Sequence, residues 1–176
     1  KDLNRPLDFS LAFKGQGKNV EIPLLELSDE RYLDVQGNLS LLNWDAKHDV
    51  FIQAELKNLS VTQPGIRYFM DNLTGSVPSI LDRMEFVRFK GSVGGYFHDL
   101  QVGGLLQTAA GVVDANLLIN SDSDFKRTYS GGVKSKNLNL GKLLGDSKFG
   151  HTQFNVDLKG FNYNDKYPES YIKGIV

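Results

Sequence analysis

The 176-residue chain contains no cysteine, so neither a disulfide framework nor a thiolate metal site can be built from it. That absence fits an oxidising compartment. Lysine and arginine form no run, and 20 basic residues against 21 acidic ones leave a net charge of −1. A basic face for nucleic acid is therefore excluded. No stretch approaches the roughly 18 consecutive apolar residues of a membrane-spanning helix. No leader is visible. The chain opens on Lys1 without a methionine and closes at Ile172–Val176, in the middle of an alternating pattern. The expectation is a piece excised from a longer protein, with any anchor or export signal outside it.

Glycine, in contrast, is abundant, with 18 residues, and it recurs in one phrase: an apolar residue, a polar or small one, then glycine. Copies are Phe13-Lys14-Gly15, Val35-Gln36-Gly37, Phe89-Lys90-Gly91, Val102-Gly103-Gly104, Tyr129-Ser130-Gly131, Leu158-Lys159-Gly160 and Ile172-Lys173-Gly174. Each copy lies in a stretch that alternates apolar and polar, the period of a strand with one apolar face. Glycine within a strand marks bends, bulges or close backbone approach. Together these features predict a long, curved, antiparallel sheet.

Strand patterns run over residues 7–14, 20–27 (with a bulge after Pro23), 32–42 and 49–62 (kinked at Asn58). Asp45–His48 and Ser28–Glu30 read as turns between them. Residues 64–84 change period. Ile66, Phe69, Met70 and Leu73 fall on one helical stripe, Pro64 opens it and Gly75 stops it. A second short helix starts near Ser76 and Pro78 and carries Ile80, Leu81 and Met84. Strands return with Val87, Phe89, Val93 and Phe97, then Leu100, Val102 and Leu106, then Val113, Ala115, Leu117 and Ile119. Tyr129 and Val133 follow the Ser121–Asp124 turn. Leu138–Gly145 reads as one helical turn, and Phe154, Val156 and Leu158 begin the final pair of strands with residues 169–176. The expected architecture is mainly β, ten to eleven strands and two or three short helices. It forms one domain over 1–176, with strand sets at 1–63 and 85–176 around a helical insert at 64–84 that acts as a lid or end-plug.

Catalytic chemistry finds no foothold. His48, His98 and His151 are far apart and lack ligand-spaced partners, so no metal site is expected. Gly15-Gln16-Gly17-Lys18 and Gly141-Lys142 lack the full spacing of a phosphate loop, and a hairpin turn explains Gly-Lys more simply. Asp122 and Asp124 have no downstream glutamate to complete a calcium loop. No Gly-x-Ser-x-Gly elbow occurs. The sequons at Asn38, Asn58 and Asn72 are as many as composition alone produces. The expectation is a protein that is not an enzyme and uses no cofactor.

The run Phe89–Leu100 resembles the repeating segments of the TamB-like proteins, within the wider AsmA-like group of Gram-negative envelope proteins. Gly111–Leu117 and the segments Tyr129–Val133 and Leu138–Gly145 are similar to them too. The likeness covers most of residues 30–176 and is strongest after residue 85. It implies a long periplasmic protein anchored in the inner membrane by a helix outside this chain, whose curved sheet forms a taco-like half-barrel around a hydrophobic groove. It also implies an outer-membrane barrel partner of the TamA type, contacted through the full-length protein. On this reading the chain is a lipid-conduit segment that shields phospholipid acyl chains between the two membranes. Its expected groove wall is Val87, Phe89, Val93, Leu100, Val102, Leu106, Val113, Ala115, Leu117, Ile119, Phe154, Val156 and Leu158. The helical insert has no counterpart in the family pattern. Two other readings stand beside this one. In the first, an assembly factor binds outer-membrane barrel strands by β-augmentation. In the second, a closed β-sandwich packs its apolar faces together.

Overall fold

The structure is a computed structural model that describes residues 8–29, 31–46, 49–75, 77–121, 127–162 and 168–175. Within them, ten strands form one antiparallel sheet, with each strand hydrogen-bonded to its neighbours in sequence and the two edges left apart. They are β1 (Asp8–Gln16), β2 (Asn19–Asp29), β3 (Leu33–Leu42), β4 (Phe51–Thr62), β5 (Phe86–Tyr96), β6 (Asp99–Thr108), β7 (Gly111–Ser121), β8 (Arg127–Asn139), β9 (His151–Asn162) and β10 (Pro168–Ile175). Helices α1 (Gln63–Thr74) and α2 (Ser79–Arg83) join β4 to β5, and α3 (Leu140–Leu144) joins β8 to β9.

The expected strands are present, with several corrections at their ends. Phe97 belongs to the exposed β5–β6 turn rather than to a strand. Leu138 lies in β8 rather than in the helical turn, and it is buried. Ser28 and Asp29 continue β2 instead of forming a turn. Gly17-Lys18 is a hairpin turn with Gly17 at φ 58°, in keeping with the simpler reading of Gly-Lys. The register slips between Ile22 and Leu25, around Pro23, and again between Leu56 and Leu59, beside Asn58. Lys47, His48, Glu30, Asp122 and Asp124 lie outside the described residues.

Local chemistry sets the helices. The Thr62 hydroxyl accepts from the Gly65 N–H at 3.2 Å and caps α1, Pro64 falls in the first turn, and Gly75 closes the helix in the left-handed region. Pro78 stands at the start of α2 and Met84 just beyond its end, and Ser76 lies outside the described residues. The Asn139 side chain caps α3 by accepting from Lys142 N at 2.8 Å.

All three helices gather at one end of the sheet, the end reached by every even-to-odd strand connection. There Arg67 pairs with Asp82 at 2.7 Å, tying α1 to α2. Arg83 donates to the Leu143 carbonyl at 3.3 Å, and Lys142 reaches Glu85 at 2.8 Å. Tyr32 stacks on Tyr68 with ring centroids 5.0 Å apart. Ile66, Ala110 and Leu138 are buried at this end, beside the satisfied hydroxyls of Thr108 and Ser135.

Elsewhere the molecule is one layer thick. Its accessible surface is 12400 Å² for 19.6 kDa, where a compact monomer of that mass exposes about 8,600 Å². Among the described residues no side chain is less than 2% exposed. A sheet normally buries its apolar face against a second layer, and a sandwich core would contain side chains shut off from solvent. The two-sheet sandwich is therefore not the architecture.

Candidate binding face

Pairing register decides which side chains share a face. Val87, Phe89 and Val93 on β5 align with Thr108, Leu106 and Val102 on β6. Leu100, Val102 and Leu106 align with Ile119, Leu117 and Val113 on β7. Ala115 meets Val133, Val133 meets Val156, Gly131 meets Leu158, and Ser135 meets Phe154. All thirteen residues expected to form a wall therefore lie on one face. Val156 is buried and the other twelve are half-buried. The opposite face carries Arg88, Lys90, Gln101, Asp114, Asn116, Lys134 and Asp157.

The face extends beyond the thirteen. Through the same pairings, Leu33, Val35, Leu39 and Leu41 of β3 and Ile52, Ala54, Leu56, Leu59 and Val61 of β4 continue it, half-buried. Their alternation is as plain as that of the second half, so periodicity alone was enough to include them. At β1 the cover ends. Phe9, Leu11 and Phe13 are 72%, 50% and 62% exposed on the edge strand.

One row of pairs crosses all ten strands: Leu11, Leu25, Gly37, Leu56, Gly91, Gly104, Ala115, Val133, Val156 and Gly174. Over β5–β7 it consists of Gly91, Gly104 and Ala115. Larger side chains flank it on both sides, Phe89, Leu106 and Val113 on one and Val93, Val102 and Leu117 on the other. The tip of the Phe89 ring lies over Gly91, so an aromatic side chain covers the row of small residues there.

Gly91 and Gly104 face each other so closely that a methyl group on either would collide with the partner strand's backbone. On the polar face the situation is reversed: around Gly94 there is open space, and added methyls at Gly103 and Gly132 would meet only side-chain oxygens at 3.7 Å. Those missing side chains leave a hollow of about 1050 Å³ on the polar side, over Ser92, Gly94 and Gly103. Glu55, Lys90, Gln101 and Asn116 surround it, and Gln101 donates to Asn116 at 3.3 Å.

His98 stacks on Tyr96 in the β5–β6 turn, while His151 pairs with the Asn137 side chain at the other end of the strands, 2.6 Å away. They share no ligand cage. Among the described residues no three His, Asp or Glu side chains converge on one point. The Asp82 carboxyl is held below the usual carboxylate range, chiefly by the hydrogen bond from Arg67. Both groups belong to the helix tether, away from the apolar face.

Compared with known protein families, curated proteins and solved structures, the chain matches none.

Proposed function

We propose that the apolar face is a track for acyl chains and that the protein is a non-enzymatic segment of a lipid conduit in the cell envelope. The observation that carries this reading is a single-layer sheet whose apolar face has no second protein layer over it. An apolar surface of this extent calls for an apolar occupant. The taco-like form implied by the TamB-like resemblance would place this face on the inside of the curl.

The energetics suit passage rather than storage. Hiding about fifteen methylenes from water is worth roughly 12 kcal/mol at about 0.8 kcal/mol each. A tail arriving from a bilayer is already out of water, so its transfer onto the face is close to neutral. Aliphatic walls without hydrogen-bonding groups provide no station at which a tail would be trapped. Phospholipid is the proposed cargo, the periplasm the proposed location and a TamA-type barrel the proposed partner of the full-length protein.

A second reading has its own support. The open edge at β1, with its exposed Phe9, Leu11 and Phe13, offers a template on which an extended strand of an outer-membrane barrel protein could be added.

Native mass spectrometry with lipid extraction separates the two readings. Wild-type protein carries phospholipid or fatty acid, and folded Leu117→Asp and Val102→Asp variants lose it. Protein that purifies clean and takes up no fluorescent fatty acid, yet binds amphipathic peptides through β1, favours the assembly reading.

A further inference from the structure

The regular ladder of the sheet is interrupted at one place by a bulge, across which the backbones of Gly111 and Asn137–Leu138 stay close. β7 begins at Gly111 and β8 runs to Asn139, yet their ladder stops at Asp114–Lys134. Beyond that pair the Val112 carbonyl is taken by the Ser135 hydroxyl at 2.7 Å, and main-chain bonding resumes only where Asn139 N donates to Ala110 O at 2.7 Å. On its other side β8 shifts register against β9 between Ser135 and Leu138. Bulges of this kind re-aim side chains and are frequent beside functional sites.

Beside the bulge lies a cleft of about 640 Å³, lined among others by Leu105, Val112, Lys134, Lys136 and Asp114, and by Phe154 of the expected wall. That volume falls in the range of small-molecule sites. Leu105 and Val112 are 49% and 44% exposed, on a face that is mostly polar but also carries the exposed Leu118 and Tyr96. Among the described residues neither lysine is engaged in an ion pair. The two ammonium groups outnumber the single carboxylate of Asp114, so the rim is cationic while the floor is apolar.

We infer that this cleft binds a single-chain anionic amphiphile, with its anionic end between Lys134 and Lys136 and its apolar end on Leu105 and Val112. A neutral amphiphile forgoes the charge pairing, and an inorganic anion forgoes the apolar contact. The cleft is lined mainly by residues of the face away from the track, with Phe154 shared between the two.

The test is a methyl NMR titration of the whole chain with decyl phosphate, with decanol, inorganic phosphate and an acidic peptide as comparison probes. Decyl phosphate shifts the methyls of Leu105 and Val112 saturably, and each comparison probe binds at least about tenfold more weakly. Lys134→Glu with Lys136→Glu weakens decyl phosphate by about tenfold or more, whereas Leu117→Asp on the other face leaves it unchanged. Should the double charge reversal fail to fold, Lys134→Gln with Lys136→Gln gives the same comparison. The inference is overturned by shifts confined to methyls of the track face, by equal affinity for decanol or the acidic peptide, or by no shift at all.

Discussion

The two ends of the strands differ more than the two halves of the sequence do. At the helix-bearing end, Ile66, Ala110 and Leu138 are buried, hydroxyls are satisfied internally, and three side-chain bridges tie the helices together. At the hairpin end the same strands finish in turns that leave Trp44, Tyr96 and Phe97 largely in solvent. Leu138 is 5% exposed and Phe97 is 62% exposed. A one-layer sheet gains little from stacking, so cohesion concentrates where other elements fold over it. Local opening should accordingly begin at the hairpins and reach the helix end last.

Substitutions at the two ends can break that picture, and the largest effects belong to the helix end. Leu138→Ala and Ile66→Ala should each cost about 2–5 kcal/mol in urea denaturation, as lost burial plus a cavity. Gly131→Ala, midway along the strands, should cost about 1–3 kcal/mol. Its φ is 142° and a methyl there would collide with the Asn116 carbonyl. Thr62→Ala removes the α1 cap and should cost about 1 kcal/mol, read as faster amide exchange in α1.

The Asp82–Arg67 tether gives a smaller, pH-dependent effect. The carboxyl titrates lower in the folded protein than in the unfolded chain. Its contribution is therefore fully present above about pH 4 and is lost as pH falls through the folded value. Asp82→Asn should abolish that acid-side dependence, because α1 exchange at neutral pH rises toward the rate that the wild type reaches only in acid. Phe97→Ser should change stability by no more than about 0.5 kcal/mol, since the ring covers little. A large loss there would show that the hairpin end is covered after all.

Much of this architecture was legible from alternation. All seven glycine phrases lie within strands, and each first residue shares a face with its glycine two positions on. Period-two patterning therefore placed the thirteen wall residues on one side without any knowledge of pairing. It failed where pairing itself changes parity. The shift between Ser135 and Leu138 returns Leu138 to the apolar side, and a local pattern could not separate that from the start of a helix. The cleft at Leu105 and Val112 was invisible for a related reason: it sits beside a bulge in the pairing, and neither residue departs from ordinary strand composition. The row of small residues needed two registers at once, since Gly91, Gly104 and Ala115 are 11 or more positions apart in the chain.

Strictly sequential pairing has one further consequence. No strand has to wait for a distant partner, so the sheet can be assembled in the order in which the chain emerges from a ribosome or a translocation pore. Its length is also free to vary. Gaining or losing a hairpin preserves the direction of the edge strand and the side on which the apolar residues lie, and alters the span by about 9–10 Å. A sheet built in this way can change its span in steps of two strands, with no redesign of the strands already present.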